Sequence, residues 1–269
     1  MILFPNAKIN LGLNVVSCRS DGFHNIETIF YPIGLADNLE FIIAPDKKMN
    51  ISNSGIIIDN NENNLCLKAY NLLKDKYNLP PVHIHLDKII PVGAGLGGGS
   101  ADAAFILKGL NEFFELGLSI DEMARYVSGI GSDCSFFIFN KPLFAEGKGD
   151  IFSDVEHVLK GLYIILVYPG IFVSTKEAYQ GVNPSKPDCS LKELINMPVV
   201  QWKEYIKNDF EMSVFKKYPV IREIKEKLYQ NGALYASMSG SGSSVYGIFE
   251  NKPDFHDFDQ SCFIWDGTF

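Results

Sequence analysis

The chain has 269 residues, 46% of them hydrophobic, enough for one large or two modest packed cores. Its 24 Lys and Arg stand against 32 Asp and Glu, and a net charge of -8 gives no general attraction to nucleic acid or to anionic membranes. No apolar run approaches the roughly 20 residues of a membrane span, no signal segment follows Met1, and the five scattered cysteines form no CxxC pair. A cytoplasmic protein with neither a membrane nor a nucleic-acid partner is expected.

Residues 2–16 (ILFPNAKINLGLNVV) alternate with period two. Ile9, Leu11, Leu13 and Val15 oppose Lys8, Asn10, Gly12 and Asn14, which predicts one half-buried strand. SDG at 20–22 marks a turn, and strands follow near 26–33 and 39–44. An Asn-rich bend at 59–64 precedes helical spacing in LCLKAYNLLKDKY. VHIHLDKII (82–90) predicts another strand, with His83 and His85 on one face as sheet residues, since no third ligand stands near them. SADAAFILKGLNEFFELG is apolar nearly all round, the pattern of a buried helix. Ser119 and Glu122 form a capping box for a helix that stops near Gly129. IGSDCSFFIF reads as a short turn into a strand, and LFAEGKGDIF as a hairpin. From about residue 160 the pattern restarts with the strand LYIILVYP, then helices opened by Ser174/Glu177 and Ser190/Glu193 around a surface loop at 181–190. A long helix from Pro219 to Gly232 and the strands ALYAS and SSVYGIF complete it. Layered strands and helices with early antiparallel hairpins predict an α+β fold.

The stretch PVGAGLGGGSADAA (91–104) packs five glycines into seven positions. Such density implies close approach of backbone to a ligand, or positive φ. A Walker A loop needs a lysine that does not follow Gly99. Gly93, Gly95 and Gly98 satisfy GxGxxG, but a dinucleotide fingerprint belongs to the first βαβ unit, with an acidic residue ending the next strand. Here some 90 residues precede it, and the corresponding later position lies within a predicted helix. The HRD and DFG partners of a protein-kinase loop are absent. Backbone N–H groups of the glycine turn, with the start of the helix after Ser100, suit the oxygens of a triphosphate. Ala101, Ala103 and Ala104 let that helix pack closely behind the loop.

P-x-x-x-G-L-G-x-G-S-A resembles the phosphate loop of the GHMP kinase superfamily, which includes galactokinase, homoserine kinase and mevalonate kinase. The superfamily's other two motifs have counterparts in PNAKINLGL and in the late glycine turn MSGSGSSVYG (238–247). Within the superfamily, PNAKINLGLNV…RSDGFHNIETIF, the glycine loop, GSDCSFF and AEGKGD resemble the branch that phosphorylates the 2-hydroxyl of a diphosphocytidyl methylerythritol. The resemblance implies a GHMP kinase fold: an ATP-binding, ribosomal-protein-S5-like domain over 1–158, a ferredoxin-like domain over 159–269, and substrates in the cleft between them. It implies ATP and Mg²⁺ as cofactors and a cytidine diphosphate conjugate as acceptor.

By motif register, Lys8 and Asp133 take the catalytic positions; the plainer readings are a solvent-facing lysine and a helix-capping aspartate. Pro91, Val92, Gly93, Ala94, Gly95, Leu96, Gly97, Gly98, Gly99, Ser100 and Ala101 form the nucleotide loop, with Asn64 and Lys88 beside the base and ribose. Ser100 would touch phosphate or Mg²⁺, and no carboxylate cage for the metal is evident. Asn10, Phe23, His24, Phe30, Thr175 and Tyr179 bear on the acceptor: the cytosine lies between Phe23 and Tyr179, His24 hydrogen-bonds it, and Phe30 lines the methylerythritol pocket. The family commonly has Tyr where Phe23 stands and Phe where Tyr179 stands; either ring stacks a base. A GHMP kinase acting on mevalonate, homoserine or a sugar stays open as an alternative. So do a nicotinamide-dependent oxidoreductase and a non-catalytic nucleotide-binding protein.

Overall fold

A proline decides how the chain begins. The computed structural model describes residues 1–58, 64–156, 158–254 and 258–269. In chain order its strands are β1 (Ile2–Leu3), β2 (Asn6–Cys18), β3 (His24–Ala36), β4 (Asn38–Ile43), β5 (Asn50–Gly55), β6 (Val82–Lys88), β7 (Leu143–Glu146), β8 (Ile151–Asp154), β9 (Tyr163–Tyr168), β10 (Tyr235–Met238), β11 (Val245–Phe249) and β12 (Phe263–Thr268). Its helices are α1 (Leu65–Tyr77), α2 (Gly98–Phe113), α3 (Ile120–Val127), α4 (Cys134–Phe139), α5 (Thr175–Tyr179), α6 (Leu191–Leu194), α7 (Trp202–Tyr205), α8 (Glu211–Lys217) and α9 (Pro219–Gln230). Pro5 has no N–H for a strand ladder. The single strand expected over 2–16 is therefore broken at Phe4–Pro5 into β1 and β2.

Two compact units are interleaved along the chain. Unit 1 takes Met1–Ala7, Leu35–Val92 and Gly97–Lys141; unit 2 takes Lys8–Gly34, Gly93–Leu96 and Pro142–Phe269. The chain passes from one to the other inside β2, near the end of β3, twice at the glycine-rich loop and once more between Lys141 and Pro142.

Unit 1 holds a sheet in the order β1-β4-β6-β5 with helices α1 to α4. β4 runs antiparallel to β6, and β5 runs parallel to it with Asn50 opposite His83. β5 (NISNSG) has no apolar alternation and carries no strand signal in the sequence; its backbone bonds to β6 make it a strand. The capping box of α3 forms as expected, with Ser119 accepting from the Glu122 N–H and Glu122 reaching back to the Ser119 N–H. The Asn-rich bend expected at 59–64 lies outside the described residues except for Asn64.

One expectation in unit 1 is corrected. CSFFIF was expected to enter a strand and forms helix α4. Cys134, Ser135, Phe136, Phe137 and Ile138 are all buried, and a short run buried all round has no periodicity to separate helix from strand. Asn140, at φ 49° in the left-handed region, ends the helix.

Unit 2 holds two sheets, β2-β3-β7-β8 and β10-β11-β9-β12. Every registered pair in the second is antiparallel. The order runs second, third, first, fourth in chain sequence, the strand order of a ferredoxin-like domain. β12 (FIWDGT) is its fourth strand. α9 buries Ile221, Ile224 and Leu228, spaced three and four apart on one face. They join Leu13, Val15, Val167, Phe210, Met238 and Val245 in one core, each fully buried aliphatic side chain contributing about 1.5–3 kcal/mol.

Candidate active site

The glycine-rich loop links the end of β6 to α2, and its backbone alternates through the left-handed region. Gly93, Gly95 and Gly97 have φ of 68°, 80° and 72°. A Cβ built on Gly95 would lie 2.0 Å from the carbonyl oxygen of Ser239, so even alanine has no room there. Gly97 is the N-cap of α2 and supplies no capping side chain, which leaves the first N–H groups of a 16-residue helix without a side-chain partner at the cap. Such a terminus favours an anion.

In unit 1 the structure places three of the expected residues as follows. Asn64 caps α1, its Oδ1 accepting from the Cys66 N–H at 2.8 Å. Lys88 points inward: it is 2% exposed, donates to Asp102 Oδ2 at 2.8 Å and also pairs with Asp37. Asp37 accepts in turn from the N–H groups of Ile89 (2.6 Å) and Ile90 (2.8 Å), so it fixes the approach to the loop. Burial pushes the Asp102 carboxyl up to about 7, against the pull of Lys88, and its second oxygen has no hydrogen-bond partner among the described residues. Burial disfavours the Lys88 ammonium, yet Asp102 and Asp37 hold its pKa above the usual lysine value. Asp37 and Asp102 were not singled out from the sequence. The signal for Asp102 was a lone charge in the first turns of an otherwise apolar helix.

Asp133 stands at the residue before α4, but its side chain makes no capping hydrogen bond; it accepts from Ser132 Oγ at 3.4 Å. The helix-capping reading of Asp133 is therefore not what the geometry gives. Ser100 lies in the first turn of α2, and burial pushes the Cys134 thiol up to about 11.

In unit 2, Lys8 is 3% exposed, which removes the reading of a solvent-facing lysine; both faces of β2 are buried from Ala7 to Leu13. Lys8 Nζ donates to Asn10 Oδ1 at 2.6 Å and to the Gly95 carbonyl at 3.0 Å. It also lies 5.2 Å from the Phe30 ring centroid, in cation–π range. Asn10 Nδ2 donates to Thr28 Oγ1 (2.9 Å), whose hydroxyl donates to the Gly12 carbonyl (2.6 Å). The late glycine turn meets the same loop. Ser239 Oγ donates to the Gly95 carbonyl at 2.9 Å, and the Ser244 N–H donates to that of Ala94 at 3.2 Å. The ammonium expected from the first motif is thus bonded to the second motif, and the third motif closes on the same carbonyl.

The aromatic residues expected at the acceptor fall into two groups. The ring stacked on Tyr179 is that of His24, at 4.4 Å and 15°, with Phe210 edge-on to Tyr179 at 4.8 Å. Phe23 is 59% exposed, and Lys148 Nζ lies 5.1 Å from its ring centroid. Thr175 opens α5 behind the N-cap Ser174. Among the described residues no group of three or more His, Cys, Asp or Glu is placed to hold a metal ion, and no helix is long and apolar enough to cross a membrane.

Comparison with known proteins gives this arrangement its class. The model of the GHMP kinases N terminal domain matches residues 64–141, and that of the GHMP kinases C terminal domain matches residues 190–256. An α+β fold with both domains defines a GHMP kinase. The chain is 56% identical to the 4-diphosphocytidyl-2-C-methyl-D-erythritol kinase of Parabacteroides distasonis over 99% of each chain. It is 41% identical to that of Chlorobium phaeobacteroides over 92% of this chain and 88% of the relative. A crystal structure of 4-(cytidine 5'-diphospho)-2C-methyl-D-erythritol kinase superposes with a TM-score of 0.79 at 28% identity, covering 92% of this chain and 90% of the other. The mevalonate kinase of Methanococcus jannaschii, at 18% identity and a TM-score of 0.64, shares the fold. The chain belongs to the 4-diphosphocytidyl-2-C-methyl-D-erythritol kinase family. GxGxxG at 93–98 is part of a kinase loop here, and the oxidoreductase alternative falls.

Proposed function

We propose that the protein transfers the γ-phosphoryl group of ATP to the 2-hydroxyl of 4-diphosphocytidyl-2-C-methyl-D-erythritol, as a cytoplasmic enzyme of isoprenoid-precursor synthesis. The observation that carries this is the buried Lys8 ammonium bonded to the Gly95 carbonyl of the glycine-rich loop. It is a fixed cation at a backbone suited to phosphate. The names of the full-length relatives supply the acceptor.

Phosphoryl transfer needs in-line positioning and charge neutralisation more than covalent participation by the protein. Backbone N–H groups of 93–101 and the start of α2 hold the phosphates. Asp133 takes the proton of the acceptor hydroxyl as its oxygen bonds to the γ-phosphorus, while the bond to the bridging oxygen breaks and ADP leaves. Lys8 offsets the charge that develops. Bound with the nucleotide, Mg²⁺ would supply neutralising charge, and the Ser100 hydroxyl is the hard oxygen donor of this chain that would hold it. Asn64 and Lys88, turned inward, act on the nucleotide through the segments they fix.

Asn10, Phe30 and Thr175 line the acceptor. The cytosine takes the place of His24 on the face of Tyr179, which frees the imidazole to hydrogen-bond the base edge, and Phe23 covers the other side. Domains 1–158 and 159–269 are proposed as the family's two halves; the matched ranges fall on either side of that boundary.

The test of these roles is ADP release with the cytidine conjugate as acceptor. Asp133→Asn and Lys8→Ala should each lower kcat by about 10²–10⁴-fold, the usual size of a general-base contribution, with ATP still bound. Near-normal turnover in both would refute the assignment.

A further inference from the structure

Resting on the kinase reading, we infer that Asn208 is a positioning residue for phosphoryl transfer. It holds the late glycine turn so that Ser239 reaches the Gly95 carbonyl beside Lys8. Asn208 lies between α7 and α8, outside the three glycine and lysine motifs, and is 3% exposed. Its amide nitrogen donates to the carbonyls of Met238 and Gly240, each at 2.8 Å, and its Oδ1 accepts from the Phe210 N–H at 3.0 Å. The two carbonyls flank Ser239 in sequence, so one side chain fixes the backbone on both sides of that residue.

From Ser239 the path is short. Its hydroxyl donates to the Gly95 carbonyl at 2.9 Å and accepts from the Asn10 N–H at 3.3 Å, while Lys8 Nζ donates to the same carbonyl at 3.0 Å. The residues after Asn208 fasten the neighbouring strands. The Asp209 N–H donates to the Leu13 carbonyl (2.9 Å), and Asp209 Oδ2 accepts from the Val15 N–H (2.7 Å). Glu211 Oε1 accepts from the Met238 N–H (2.9 Å) and from Ser237 Oγ (3.1 Å). Segment 208–211 thus ties β2, which carries Lys8 and Asn10, to the end of β10, which opens the turn.

The geometry selects for asparagine. Two carbonyls two residues apart need two N–H donors on a short side chain that can also accept, and among short side chains an amide supplies that set. An aspartate of the same shape would set a carboxylate against both carbonyl oxygens.

Misplacing a catalytic group by about 1 Å can cost roughly 10²-fold in rate. Asn208→Asp is therefore expected to lower kcat about 10- to 100-fold at a temperature where it remains folded by circular dichroism. Ser239→Ala, which cuts the path at its other end and leaves the buried amide alone, should give a loss of the same kind. Because both act through the Gly95 carbonyl, the double variant should lose no more than the worse single variant. Ile224→Val, a core change in the same unit, should lower thermal stability and leave kcat unchanged.

The inference is overturned if Ser239→Ala turns over within about twofold of wild type, whether or not the Asn208 variants fold, or if the two losses multiply. Wild-type protein without turnover on the cytidine conjugate would instead refute the kinase reading itself.

Discussion

Gly95 carries more of the site than its missing side chain suggests. Its carbonyl accepts from Lys8 and from Ser239, its φ is 80°, and a Cβ would meet the Ser239 carbonyl oxygen at 2.0 Å. Backbone rather than a movable side chain blocks the space, so no rotamer change relieves the clash. Gly117 has a similar φ of 69° with nothing within 4 Å of its Cβ position. The pair separates backbone strain from crowding. Both alanine variants pay roughly 1–2 kcal/mol for a left-handed L-residue, which thermal unfolding reads. Gly95→Ala alone should also lose turnover, by about 10²-fold or more, because the loop must move. Equal activity of the two variants would show that the loop tolerates displacement. The density of glycines was legible in the sequence, and so was the register of Lys8 with it. The partner that makes Gly95 irreplaceable was not, since Ser239 lies 144 residues away and no local spacing reports that contact.

Among the elements, β6 and α2 flank the loop and are fastened to each other by Lys88 between Asp37 and Asp102. Two carboxylates share one ammonium. Asp37 also receives two backbone N–H groups, while burial of Asp102 favours a proton on its carboxyl. Burial raises it to about 7, and hydrogen bonding to Asp37 also favours the protonated form. An unfolded chain releases that proton near pH 4. The folded state binds it more tightly, so its contribution to stability is full below about pH 4 and is lost as the pH rises through about 7. The wild-type melting temperature should accordingly fall more between pH 5 and pH 8 than that of Asp102→Asn, which has nothing to titrate there. Parallel curves for the two proteins would contradict the proton on Asp102.

Elements with strong local signals were legible in the sequence. α3 had its capping box, α1 and α9 had helical spacing, and β6 alternated. α4 was misread because a helix buried on every side loses its period, and β5 went unseen because a polar strand paired through its backbone has none. The stacking partner of Tyr179 was not legible: two aromatic residues next to each other, Phe23 and His24, offer either ring, and only packing chooses between them.

Across the whole molecule, the net charge of -8 and the absence of a long apolar helix among the described residues do not identify a substrate. The acceptor proposed above rests on the relatives, 56% identical over nearly the entire chain. The chain's repeated return to unit 2 explains how motifs far apart in sequence meet: β2, the glycine loop and the late turn each contribute to its Lys8–Gly95–Ser239 cluster. The central claim is that this cluster serves a kinase whose acceptor is the cytidine conjugate.

The direct measurement is ADP release with MgATP across 4-diphosphocytidyl-2-C-methyl-D-erythritol, its uridine counterpart, mevalonate and homoserine. Cytosine and uracil exchange donor and acceptor on the edge that His24 would read, and a site built for one leaves buried polar groups unpaired with the other. The account predicts turnover on the cytidine conjugate, with the uridine compound used far less efficiently and no use of the two bare alcohols. Equal use of the uridine and cytidine conjugates, or a preference for mevalonate or homoserine, would contradict it.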